Sequence, residues 1–515
     1  MFFEITKLTY KNHRIMETNL IKDICKILRV FLIINLILIS SCTKDFLEEE
    51  PQGDLIEPLF LVNAYDAKLA TNAIYSSMRE WNFYSGGYPI LDIMSDDAVK
   101  GSNPGDGAGL NLFDNFQFTP TVGDISRWYS ALYKSIRRAN IVIEKVPGIT
   151  MDEVLQTRYI AEARCLRALY YFQLVKAFGD VPMVTSAYPP ANLGRTSKDV
   201  IYDEVIIADL EFAIENLPEK NEYASSDLGR VTVGAARTIL ADVYLFRNDF
   251  INAEIYALQV IQSVKYNYGL EPDFSDAFSL QGQHGTESIL EIGALPEENP
   301  SLGGNQYANT QGVRGDPNRG WGFNRPSMDL INSFETGDIR KDATIIFLGE
   351  ILDGDTIFGD NSTPDITYTD ETNTVIKEME TYNQKVWVPG STTVEEWGYN
   401  VRIYRYAEVL LIAAEALNEN GKPSLALDYL NEVRDRADLA DYEILDKTQL
   451  REQIWKDKRS ELAMEGKRYF DLIRQGRAGD VLGDLGFISG KNELFPIPQA
   501  EIDLSNGLFI QNPNW

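Results

Sequence analysis

The sequence predicts a mainly α protein, a tetratricopeptide-like helical solenoid packed against a loop-rich region with few short strands. Three observations predict it. Long stretches repeat apolar residues with the helical period. Two of those stretches carry the same residue spacing 173 positions apart. Between them, residues 265–400 lose the period and fill with Gly, Asn and Pro.

The first 41 residues read as a lipoprotein signal peptide. Lys22, Lys26 and Arg29 precede an apolar run from Val30 to Ile39, which leads into Ser40-Ser41-Cys42. A basic start, a short apolar core and small residues before the cut describe a secretory signal. The run falls far short of the roughly 20 residues that span a bilayer. A cysteine directly after the small pair makes Cys42 the residue that is acylated and becomes the new N-terminus. Met16 is a more natural start than Met1, so residues 1–15 read as an upstream extension. Residues 42–58 are acidic and turn-prone, as a flexible tether would be.

The N-terminal helical region spans 59–265. An apolar period runs from about Phe60 to Arg79, with Ala64, Ala67, Leu69, Ala73 and Ile74 on one side. Residues 82–120, rich in Gly, Asn, Asp and aromatics, read as an irregular insertion. Helices are expected at Ile125–Val146, Met151–Phe178, Val200–Leu217, Thr232–Arg247 and Phe250–Val264. The C-terminal region, 266–515, is loop-rich over 266–400, with strand-like pieces at Ser288–Ile292 and Lys385–Val388. It is helical over 401–475 and ends in an extended tail to Trp515.

Leu240, Ala241, Tyr244, Ala253 and Val260 have the spacing of a tetratricopeptide unit, a helix hairpin of about 34 residues. Ala414, Leu417, Ala426, Leu430 and Val433 repeat the positions of Ala241, Tyr244, Ala253, Ala257 and Val260. Small residues let two helices cross closely, and larger apolar ones fill the gaps. A third, partial copy passes through Ala168 and Tyr171, its second helix displaced to about Val200–Leu217. Solenoids of this kind bind other proteins.

Composition excludes several functions. Without residues 1–41 the chain keeps 42 basic and 74 acidic residues, a formal charge of −32. Such a surface repels nucleic acid and anionic headgroups, and a body of this kind suits attachment to a membrane by its N-terminal lipid. Beyond Cys42 and the signal's Cys25 there is only Cys165, so neither a disulfide framework nor a thiolate metal site is expected. His284 is the one histidine outside the signal.

No catalytic residue, metal site or cofactor is expected, and the chain is read as no enzyme. Phosphate loops, His-Glu-x-x-His and nucleophile elbows are absent from the sequence. Asp96-Asp97 reads as a solvated or capping pair in a turn. Asp353-Gly354-Asp355 with Asp360 lacks the glutamate that closes a calcium loop. The loop aromatics are more telling. Trp81 and Tyr84 lie beside Arg79 and Asn82, with Tyr88 nearby. Tyr307 and Trp321 lie amid Asn305, Asn309, Asn318 and Asn324. Sugars offer apolar C–H faces and dense hydroxyls, which suit aromatic platforms flanked by amides and guanidinium groups, and binding residues concentrate on loops. Arg79, Trp81, Asn82, Tyr84, Tyr307 and Trp321 are therefore the candidate ligand-binding residues. The competing reading is that these rings anchor their loops on the helical core.

The C-terminal motifs carry a resemblance. They are Arg405-Tyr406-Ala407-Glu408, Leu430-Asn431-Glu432-Val433-Arg434, Lys458-Arg459-Ser460-Glu461-Leu462, Gly466-Lys467-Arg468-Tyr469-Phe470-Asp471 and Pro496-Ile497-Pro498. With Cys42-Thr43-Lys44-Asp45-Phe46-Leu47, Phe178-Gly179-Asp180-Val181-Pro182 and Gln511-Asn512-Pro513, the chain resembles the SusD/RagB family of Bacteroidetes surface lipoproteins. The resemblance implies about four helix hairpins packed on a loop-rich region, and a lipid anchor in the outer membrane facing outward. It also implies a SusC-type TonB-dependent transporter as partner, for which the protein acts as a hinged lid. The ligand it implies is an oligosaccharide, or a peptide on the RagB pattern. A surface glycoside hydrolase and a scaffold that binds nothing small are the readings from other classes. Glu408 and Glu415, seven apart on one helical face, are expected to pair with Arg402, Arg405 or the Arg459/Arg468 group, and Gly179 and Gly466 to end helices.

Changing Cys42 to alanine should leave folding and ligand binding intact and release the protein from the membrane, read by fractionation and calorimetry. Loss of binding by the released protein would contradict the tether reading.

Overall fold

The computed structural model describes residues 61–83, 89–103, 105–296, 303–360, 380–389 and 398–515, with the backbone of two short strands at 367–369 and 375–377. The signal peptide, Cys42, the tether, Tyr84 and Tyr88 lie outside these residues.

Helices form where the apolar period runs. Helix α1 (Ala64–Arg79) begins at Asn63, whose side chain accepts the N–H groups of Tyr65 and Asp66. Helix α2 (Gly123–Lys145) leads to α3 (Glu153–Phe178), where Asp152 caps the N–H of Leu155 at 2.8 Å. Helix α3 buries apolar residues around its whole circumference, as a central helix does. Gly179, at φ +69°, ends it in the left-handed region. A π-helical turn, Tyr202–Ile207, feeds α4 (Ala208–Asn216), followed by α5 (Val233–Phe246) and α6 (Phe250–Ile261). After the loop-rich region come α7 (Tyr406–Glu419), α8 (Pro423–Arg436, with proline in its first turn), α9 (Lys447–Leu462) and α10 (Arg468–Arg474).

Each helix from α1 to α8 packs on the next, including α6 on α7 across the whole loop-rich insertion. Taken as α1/α2, α3/α4, α5/α6 and α7/α8, they form four hairpins among the described residues. Helices α7 and α8 begin 173 residues after α5 and α6. The matched positions Ala241, Ala253, Ala257 and Val260, and Ala414, Leu417, Ala426, Leu430 and Val433, are all buried.

The loop-rich region is joined to the solenoid by paired strands. Strand β1 (Ala98–Gly101) lies in the first insertion, β2 (Ser288–Ile292) follows the helices, and β3 (Phe323–Pro326), β4 (Ile345–Phe347), β5 (Thr381–Asn383) and β6 (Val401–Arg405) complete the main set. All pair antiparallel: β1 with β3 in the register Val99 opposite Arg325, β2 with β6, and β4 with β5. Two sequence expectations change here. Residues 401–405 form β6 rather than the start of a helix, because their backbone finds β2 as a partner. Lys385 sits in a 3₁₀ turn, Gln384–Val386, rather than a strand. Gly466 also departs from expectation: it lies beyond the end of α9, in the turn into α10, at φ +72°.

A buried ion network closes the fold. Arg405 of β6 donates to Glu287 (2.5 Å), Glu461 (3.0 Å) and Glu465 (2.8 and 2.9 Å). Arg436 of α8 reaches Glu461 at 2.6 Å and Glu287 at 3.0 Å, and Arg340 lies 3.5 Å from Glu461. Lys385 donates to the Glu461 carbonyl (2.9 Å) and to Glu465 (2.7 Å), which is why its turn is fixed. Phe274 and Phe278 cover these cations at 4.7–4.9 Å. Glu408 and Glu415 take partners other than those expected: Lys467 (2.9 Å) and Arg474 (2.6 Å).

Burial alone would raise the Glu461 and Glu465 carboxyls. Arg436, Arg405 and Arg340 outweigh it at Glu461, and Arg405 with Lys385 holds Glu465 at about 2. A depressed carboxyl stabilises the fold above its unfolded pKa and loses that contribution as pH falls through the folded value. Cooperative acid unfolding, followed by circular dichroism, is therefore expected to set in below the ordinary glutamate value of 4.5 and to continue towards about 2. Glu461→Gln leaves buried guanidinium groups short of charge and should lower unfolding stability by about 3–5 kcal/mol in urea titrations. An unchanged urea midpoint would show that the network contributes little.

Candidate functional site

The first candidate residues lie where α1 stops. The Glu80 N–H closes the helix on the Ser77 carbonyl, and the Glu80 carboxylate receives Lys134 (2.9 Å) and Arg138 (3.0 Å) from α2. This clamps the chain to the solenoid just before the 3₁₀ turn Trp81–Phe83. Trp81 and Asn82 are half-buried, Phe83 is buried, and Asn82 Oδ1 accepts no hydrogen bond within the described residues.

The second group comes from the loop-rich region. Residues Tyr307–Gln311 form a short helix, and the following loop folds back across it. The Trp321 N–H donates to the Asn309 carbonyl at 2.7 Å, and the Gly322 N–H to the Gly312 carbonyl at 3.0 Å. Gly320 is required in this crossing: a Cβ there would stand 2.6 Å from the Asn309 carbonyl oxygen and from Gly312 Cα. The loop thus holds Trp321, half-buried, with its ring centroid 5.9 Å from that of Trp81 at an interplanar angle of 56°. Two tryptophans 240 positions apart form one aromatic corner.

A polar relay fixes the floor behind this corner. Asn324 donates to Gln311 (2.8 Å) and Asp92 (3.1 Å), Asn383 donates to Gln311 (2.9 Å), and Asp92 accepts the Gly466 N–H at 2.7 Å. Burial pushes Asp92 up to about 7 against those hydrogen bonds. Gly466 adjoins Glu465, so the relay ends on the buried ion network.

Tyr307 stacks on Tyr399, with centroids 6.2 Å apart and planes at 12°. Asn305 joins the two, its carboxamide oxygen accepting the Tyr307 N–H (3.0 Å) and its NH₂ donating to the Tyr399 carbonyl (2.8 Å). Tyr307 and Phe83 line a cavity of about 150 Å³ with Asp92, Lys176, Arg402 and Lys467. Arg79 lines a different cavity, of about 300 Å³, with Tyr75, Asp227, Arg230 and Glu291.

Of the candidates, the structure brings Trp81 and Trp321 together, has Asn82 next to Trp81 in the chain, and sets Tyr307 on a cavity that Phe83 also lines. Arg79 faces elsewhere, and Tyr84 lies outside the described residues. Tyr399 and Phe83 were missed; Tyr399 sits in a stretch with no local pattern, 92 positions from the ring it stacks on. The acidic motifs prove to be ion pairs. Asp96 and Asp97 are buried against Arg468 and Arg459 rather than solvated. Asp353 accepts the Trp387 indole N–H at 2.7 Å, Asp355 pairs with Arg319 at 2.7 Å and Asp360 with Arg314 at 2.8 Å. Among the described residues no three potential ligands gather for a metal ion.

Comparison with known proteins follows this architecture. Residues 286–515 match the SusD family, and residues 45–245 match a family described as starch-binding and associating with the outer membrane. SusD-like protein P2 of Formosa agariphila is 28% identical, with 95% of this chain and 99% of that protein covered. A laminarin-binding SusD-like protein superimposes with a TM-score of 0.73 and 29% identity over 88% of this chain and all of its own. Surface glycan-binding protein A from Bacteroides thetaiotaomicron, solved in complex with laminarihexaose, gives 0.73 and 26% over the same shares. Family matches at both ends of the described body and full-length neighbours built on the same helical stack lead to one conclusion: the chain belongs to the SusD/RagB family.

Proposed function

We propose that this protein is a non-catalytic binding lipoprotein of the cell surface. It captures oligosaccharides at the Trp81–Trp321 corner and passes them to a SusC-type TonB-dependent transporter while Cys42 holds it to the outer membrane. The observation that carries the reading is the 5.9 Å approach of two half-exposed indoles, each on a loop pinned to the core. Tilted rings present two apolar walls, and a pyranose offers C–H faces to both. Half-buried Asn82, next to Trp81 in the chain, adds a carboxamide, a group type suited to a sugar hydroxyl. The solved neighbours whose names state laminarin or laminarihexaose support a neutral glycan as ligand.

Binding needs no covalent chemistry. The rings exclude water from the sugar face, and bonds at Glu80 and at the Trp321 N–H hold both rings' backbone, so little entropy is lost on capture. Delivery then requires modest affinity, which a small aromatic corner supplies.

Isothermal titration with laminarihexaose and maltohexaose tests this. Trp81→Ala and Trp321→Ala should each weaken binding of the preferred glycan about three- to tenfold. Wild-type affinity in both variants, or binding of peptides with silence toward every glycan, would contradict the assignment.

A further inference from the structure

A second concavity, of about 600 Å³, opens between α9, α10 and the turn that follows α10. Its size is within the range of about 300–1,000 Å³ of small-molecule pockets. Four cations line it: Lys456, Arg459, Arg468 and Arg477. Trp455 and Ser333 complete most of the wall, and Glu452, which is exposed, is the one carboxylate in the lining. On a chain of formal charge −29, a lining in which four of seven residues are cations is unusual, although three of the four are paired with carboxylates.

The cations differ in how they are satisfied. Arg468 holds Asp96 with two parallel bonds of 2.8 Å. Arg459 is tied to Asp97 (2.7 Å) and Asp329 (2.6 Å), and Lys456 lies 3.3 Å from Glu335. Arg477 has no carboxylate partner among the described residues. It makes one long hydrogen bond, 3.4 Å to Gln475, and its guanidinium sits 5.3 Å from the Trp455 ring centroid. The Trp455 indole N–H donates to Glu415 at 2.9 Å, which sets the ring and hence the stacked arginine. Burial, and then Arg468, lower the Arg477 pKa from its ordinary value and outweigh the more distant Asp96 and Glu452.

We propose that this hollow is a second binding site that takes an oxyanion on an acidic sugar, either a uronate carboxylate or a sulfate ester, with Arg477 as its principal ligand. A stacked guanidinium presents a planar fork that fits either group. The hollow greatly exceeds a bare anion, so the anion arrives on a larger body. That this body is a sugar rests on the glycan-binding reading; the anion site itself does not.

The test uses the chain from Cys42 onward, titrated with inorganic sulfate and with sodium glucuronate, by calorimetry and Trp fluorescence. Laminarihexaose is titrated in parallel as a report on the Trp81–Trp321 corner. Saturable binding of at least one anion is expected, weakening as sodium chloride rises. Arg477→Ala should weaken it about tenfold or more, with Arg477→Lys recovering part. Lys456→Ala, at an exposed position, should weaken it a few-fold. Sulfate binding without glucuronate assigns sulfate esters, and the reverse assigns uronates. Trp81→Ala should leave anion binding unchanged, and Arg477→Ala should leave laminarihexaose binding unchanged. Absence of saturable anion binding, or equal affinity in wild type and Arg477→Ala, overturns the proposal whatever laminarihexaose does.

Discussion

The structure depends on one buried cluster of charge, Arg405 and Arg436 against Glu287, Glu461 and Glu465. Its members come from β6, from the residue preceding β2, and from α8, α9 and the turn beyond α9. Lys385 and Arg340 bring in the loop-rich region. An apolar core at this junction would tolerate sliding, whereas bidentate pairs with fixed forks do not. Charges buried this deeply contribute little net stability beside apolar residues of the same shape. Their contribution is to leave one geometry in which every member is ion-paired.

That geometry reaches the Trp81–Trp321 corner through a short path. Glu465 is followed by Gly466, whose N–H holds Asp92; Asp92 holds Asn324; Asn324 and Gln311 hold the loop that presents Trp321. On the other side, Glu80 fixes the end of α1 to α2 immediately before Trp81. The two indoles therefore meet because separate polar anchors, one on each loop, are satisfied at the same time. The solenoid supplies the distance between the anchors, and the loops supply the rings. A laminarin-binding SusD-like protein keeps this fold at 29% identity.

Much of the fold was legible because helix signals are local. The hairpins Val233–Ile261 and Tyr406–Arg436 follow from small and apolar residues three or four positions apart, and both copies bury those positions as the spacing required. Strand β6 was not legible: Val401–Arg405 needs Ser288–Ile292 more than 100 residues earlier, and nothing near it in sequence marks that partner. Lys385–Val388 looked like a strand because two valines flank a tryptophan, residues favoured in strands, yet a buried ammonium group decided its backbone. At the site, composition identified Trp81 and Trp321 as rings in loops without indicating that they touch. Asp96-Asp97 resembled any acidic turn, since the arginines that bury it lie more than 350 positions away.

The central claim is that the aromatic corner exists before ligand and receives a sugar without rearrangement. A crystal structure of the protein with a bound oligosaccharide tests it most directly. The account predicts a pyranose in contact with both Trp81 and Trp321, with their rings still about 6 Å apart, the tilted-pair spacing of a preformed platform. A sugar bound elsewhere on the protein, or indoles that separate to admit it, would contradict the account.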